Sequence, residues 1–169
     1  MIIRFTGALL TLLSGALYAV FITKEHRKKE RYLEELLLIL EHFSWELQTN
    51  LAPLSICCAA ASCCGRGEMG RLFENLAQHL ERGIERNPGE CMALAMVQHD
   101  IPQQIQFRLS QLGDTLGRYD LSGQIGGIEA IRELCKRDLQ ALVSERSKTV
   151  KSCQALGLCT GAAVAILLL

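Results

Sequence analysis

The stretch KEHRKKERYLEELLLILEHFSWELQ, residues 24–48, decides the fold class. Leu33, Leu36, Leu37, Leu40, Phe43 and Leu47 recur at steps of three and four. That spacing lines one face of an α-helix and cannot line one face of a strand. Leu38 and Trp45 fall off the stripe, so this helix is expected to touch neighbours on two sides. No Pro or Gly separates it from the apolar residues that precede it, so one long helix is expected to run through both.

Those preceding residues, 2–22, hold a single charge, Arg4. A run of about 21 residues is long enough to cross a bilayer core as a helix. A cleaved leader is the rival reading, with Ser14-Gly15-Ala16 as its cleavage site. The apolar run continues past that site and then meets Lys24, Arg27, Lys28, Lys29 and Arg31, which favours an uncleaved span at residues 1–23. At the other end, residues 153–169 carry no charge and close on Leu167-Leu168-Leu169. About 17 residues is the lower limit for a span, and Lys148 and Lys151 extend its reach by snorkelling. Basic residues flank the inner side of both segments, so the part between them, residues 24–152, is expected in the cytosol.

Small residues repeat every four positions in both segments: Gly7, Thr11, Gly15 and Ala19, then Cys153, Gly157, Gly161 and Ala165. Such stripes let membrane helices approach closely, and they also arise by chance in Gly- and Ala-rich spans.

The whole chain has 169 residues, with 18 basic against 18 acidic, and 5% aromatics including a single Trp. Zero net charge excludes a nucleic-acid binder working by bulk positive charge, and few aromatics exclude a stacking platform. The neutrality is a sum over unlike parts, because every acidic residue lies from Glu25 to Glu145.

Between the apolar ends no sustained period-two pattern occurs, so the expectation is all-α: a six-helix-type bundle flanked by two transmembrane helices. After the helix of residues 24–48, Pro53 opens a second that runs to about Cys64 and stops at Gly65-Arg66-Gly67. Residues 68–82 form a third, with Leu72, Phe73, Leu76 and Leu80 inward. Asn87-Pro88-Gly89 is a turn before a short fourth, residues 90–98. Pro102 opens a fifth, with Ile105, Leu109, Leu112 and Leu116 on one face. Gly117 caps its end and Asp120 caps the start of the sixth. That last helix shows Ile128, Ile131, Leu134, Cys135, Leu139 and Leu142. Gly123, Gly126 and Gly127 weaken its start, so a neighbouring helix is expected to approach closely there.

The chain has eight cysteines, four of them in Cys57-Cys58 and Cys63-Cys64. On a helix Cys57 and Cys64 share a face but lie roughly 10 Å apart along the axis. Four thiolates at about 2.3 Å from one zinc cannot come from that arrangement. Small core residues are the expectation, with no metal and no cofactor. The four histidines show no paired ligand spacing, and no phosphate loop or nucleophile elbow occurs. No enzymatic activity is expected.

The stretch LGDTLGRYDLSGQ, residues 112–124, resembles the LGxxLGxxDxxxQ signature of the stage III sporulation protein AB family. The ending KSCQALG at 151–157, then Gly161 and a terminal ILLL, is similar to that family's K-x-x-x-x-LG-x-x-x-G…ILL tail. The cysteine-rich segment and the Gly126-Gly127 pair depart from the family pattern. The resemblance implies a component of the channel complex between mother cell and forespore, in the mother-cell membrane. It also implies a cytosolic domain similar to the F-type platform proteins of type II secretion and type IV pilus machines. Such a protein would be a platform coupling a cytosolic secretion-type ATPase to the membrane channel. Its partners would be that ATPase and other membrane proteins of the complex. The alternatives are a membrane-anchored helical scaffold outside any secretion machine and a thiol-dependent enzyme using the four clustered cysteines.

Two readings of the signature stand side by side. Gly117, Asp120 and Gln124 can fix the corner between two helices, Gln124 reaching back to the turn. Alternatively Gly117, Arg118, Tyr119, Asp120 and Gln124 dock a partner.

Overall fold

A computed structural model describes residues 2–83 and 87–168, and side chains for 24–83, 87–148 and 152. Among the described residues there are six α-helices and no strand. They are α1 (Ile2–Thr49), α2 (Leu54–Ser62), α3 (Glu68–Arg82), α4 (Pro88–Val97), α5 (Gln103–Thr115) and α6 (Leu121–Leu168). As expected, α1 runs without a break from the apolar N-terminal residues through the Leu-rich stripe.

The chain divides into two compact units, Arg31–Leu139 and Met1–Glu30 with Gln140–Leu169. In the first, sequence neighbours pack as helical hairpins: α2 on α3, α3 on α4, and α4 on α5. Leu33, Leu36, Leu40, Phe43 and Leu47 of α1 are buried with Leu72, Phe73 and Leu76 of α3 and with Ile105, Leu109, Leu112 and Leu116 of the α5 region. From α6, Ile128, Ile131 and Cys135 join this core. The periodic stripes therefore mark the buried faces, although Leu80, Leu134 and Leu139 are only half-buried, and α1 needs two corrections. Ile39 is fully buried and Leu37 only half so. Leu38 and Trp45 are exposed rather than packed against a second neighbour, and Trp45 stacks instead on His42 at 6.0 Å between ring centroids.

Boundaries shift where caps act. Helix α2 ends at Ser62, so Cys63 and Cys64 lie in the following turn. Helix α4 starts two residues early because Asn87 caps it, its side chain accepting from the Gly89 amide at 3.0 Å, with Pro88 in the first turn. Proline suits that position, since its missing N–H has no intrahelical partner there.

In the other unit, Arg146 Nη1 donates to Glu30 Oε2 at 2.7 Å, joining α6 to α1. Glu30 is 9% exposed, and its second oxygen, Oε1, is buried without a hydrogen-bond partner. The segments expected to span a membrane, 1–23 and 153–169, lie outside the residues whose side chains are described. So do the stripes Gly7, Thr11, Gly15, Ala19 and Gly157, Gly161, Ala165. Among the described residues no helix is long and apolar enough to cross a membrane.

Candidate partner-docking site

The corner between α5 and α6 is built by a few short-range devices. Helix α5 stops at Thr115, and Leu116 turns to extended backbone while its side chain stays buried. Gly117 follows with φ of 72°, a conformation that costs an L side chain strain but not glycine. It also lies against the Pro88 ring, which a Cβ would meet at 3.0 Å. Asp120 then caps α6: its Oδ1 accepts from the Gly123 amide at 3.0 Å and its Oδ2 from Ser122 Oγ at 2.7 Å. These bonds stabilise the carboxylate and hold its pKa below the usual value, the Ser122 bond acting most strongly. Gln124 reaches back one turn, its Nε2 donating to the Tyr119 carbonyl at 2.8 Å. The structural roles expected of Gly117, Asp120 and Gln124 are all present.

Gly113 has a role that helix spacing alone does not reveal. A Cβ there would sit 2.9 Å from Met92 Cβ and 3.0 Å from Gly89 Cα, so α4 and α5 touch backbone to backbone. The signal in the sequence is the second glycine, Gly89, one residue after Pro88 at the start of the partner helix.

Of the three glycines opening α6, only Gly127 meets another helix: a Cβ on it would collide with the Thr115 Cγ2 methyl. Gly123 is crowded by its own cap, Asp120 and Tyr119, and Gly126 faces open space.

What remains of the corner points outward. Arg118 and Tyr119 are both exposed, the guanidinium lying 5.9 Å from the phenol ring centroid. On one side of them a hollow of about 250 Å³ is lined by Leu47, Leu51, Ala52, Leu54, Gly117, Leu121 and Gln124.

The clustered cysteines do not converge. Cys57 and Cys58 are buried, Cys64 is half-buried and Cys63 exposed, so the core reading holds for the first pair and fails for Cys63. Burial pushes the Cys58 thiol far up, and it pushes Cys135 up to about 11. Among the described residues no three His, Cys, Asp or Glu side chains are grouped to hold a metal ion.

A profile of the family described as Stage III sporulation protein AB matches residues 4–169. The chain belongs to the stage III sporulation protein AB family. Its role is accordingly in sporulation. The solved structure of a stage III sporulation protein AB (SpoIIIAB) matches with a TM-score of 0.64 at 16% identity, over 72% of this chain and 98% of that one. At that identity the match shows the shared helical fold. Comparison with curated proteins gives no match.

Proposed function

We propose that the chain is a non-enzymatic membrane platform of the sporulation channel complex, coupling a cytosolic secretion-type ATPase to the channel. It sits in the mother-cell membrane facing the forespore, held by residues 1–23 and 153–169 with 24–152 in the cytosol. One observation carries the docking role. Within the family signature, Leu112, Gly113, Leu116, Gly117, Asp120 and Gln124 each have a duty in packing or turning the chain. Arg118 and Tyr119 lie between them yet stay exposed, the guanidinium 5.9 Å from the phenol ring centroid. Exposed Arg and Tyr side chains are favourable interface anchors.

Co-purification of the full chain with a candidate secretion-type ATPase tests this. Arg118→Ala with Tyr119→Ala is expected to abolish ATPase capture at an unchanged melting temperature. Loss of stability with capture retained would assign both residues to the fold alone.

A further inference from the structure

Opposite its buried leucines, α1 carries a second seam that the fold leaves open. Arg31, Glu34, Leu38, Glu41, Trp45 and Gln48 follow one another at steps of three and four, and all six are exposed. Leu38 and Trp45, seven residues apart, are 56% and 54% exposed, and Trp45 is the single tryptophan of the chain. Leu38 and Trp45 thus take one seam position of a heptad and Glu34 and Glu41 the other, the register in which a second helix lies alongside the first. Residues 31–48 offer such a helix a seam about 25 Å long.

The seam is acidic. Between Arg31 and Gln48, α1 has four glutamates against one arginine. The arginine is already engaged, Arg31 Nε donating to Glu35 Oε1 at 3.0 Å. Glu46 accepts from Asn50 Nδ2 at 2.6 Å and lies 3.6 Å from His42 Nε2. The two glutamates on the seam itself, Glu34 and Glu41, form no ion pair among the described residues. They bracket Leu38, and Glu41 stands one turn before Trp45. A second copy would bring the same acidic excess to the contact and set like charges against each other. What fits the seam is a helix of opposite charge.

We infer that this outer seam of α1 is the seat of a basic amphipathic helix from another protein. Lys or Arg residues seven apart on that helix pair with Glu34 and Glu41, and apolar residues between them cover Leu38 and Trp45. A tryptophan closed over in this way is the kind of side chain that dominates binding. This docking is separate from the platform reading and uses neither Arg118 nor Tyr119.

A photoreactive benzoylphenylalanine at position 38 of the full chain, irradiated in sporulating cells, tests this once the captured peptide is sequenced. The expected adduct is a helix-forming segment of another protein, with Lys or Arg seven residues apart and apolar residues between. Glu34→Lys with Glu41→Lys should lower its yield about tenfold or more, as should Trp45→Ala, each at an unchanged melting temperature. Glu74→Lys with Glu81→Lys, the same charge reversal at exposed positions seven apart on α3, should leave the yield as it was. Capture of α1 from a second copy, capture of a segment without the basic spacing, or an adduct indifferent to reversal of Glu34 and Glu41 overturns the proposal. So does a yield no higher than that from the same probe at position 78, exposed on α3.

Discussion

His99 Nδ1 lies 2.6 Å from Glu68 Oε2, tying the link before α5 to the first turn of α3. The imidazole is 6% exposed, and its other nitrogen lies 3.1 Å from Asn75 Nδ2. With the amide donating there, the proton sits on Nδ1 and points at the carboxylate.

This contact sets an acid limb on stability. The hydrogen bond to His99 is the main force holding the Glu68 carboxyl below its ordinary value of 4.5. A carboxyl with a lowered folded pKa contributes stability above the unfolded value and loses it as pH falls through the folded one. Thermal unfolding from pH 6 downward should therefore show a drop beginning near 4.5. Glu68→Gln should flatten that drop; an unchanged acid limb in the variant would remove Glu68 from its cause.

The glycines opening α6 should respond in opposite directions. Gly127→Ala drives a methyl into Thr115 and should cost about 1–3 kcal/mol. Gly126→Ala meets open space on a helix and should stabilise by up to about 1 kcal/mol. Denaturant midpoints of the two variants check this directly.

Removing the partner of a buried charge should be worse than removing both. Arg146→Met leaves Glu30 unpaired, and because Arg146 is itself 36% exposed the cost should fall near or below the lower end of the usual range, about 2–3 kcal/mol. Adding Glu30→Gln should recover most of it. A double variant as unstable as the single one would show that the pair matters for packing rather than charge.

Thiol labelling should separate the clustered cysteines. In the native chain Cys63 should react with a maleimide first and Cys64 more slowly. Cys57, Cys58, Cys91 and Cys135 should react only on unfolding. If residues 24–152 face the cytosol, an impermeant maleimide should label Cys63 in inverted vesicles and spare it in intact cells.

The stripes on α1, α3, α5 and α6 made the helices and most of the core legible, because a buried helix face repeats locally. What periodicity missed was set by other helices. Ile39 sits off the main stripe, yet its Cδ1 lies 2.9 Å from where a Cβ on Gly65 would be, so the corner after α2 helps to bury it. Cys63 has the character of a core residue but follows the last turn of α2, which ends ahead of the Gly65-Arg66-Gly67 stop read from the sequence. At the signature, the caps could be read from residue types and spacing. Leu51 could not, since only the folded backbone shows that it occupies a position where glycine is the usual residue.

The order of pairing along the chain has a consequence for synthesis. Helices α2 to α5 pack on their sequence neighbours and can assemble as they emerge. The anchors of α1 arrive much later: Tyr32 bonds the Asp100 carbonyl 68 residues on, and Glu30 awaits Arg146, 116 residues on. The covering of the leucine stripe of the first helix thus begins with α2 and α3 but is completed only when α6 emerges. A chain halted after α5 would lack Ile128, Ile131 and Cys135 over that core and should aggregate more readily than the full chain.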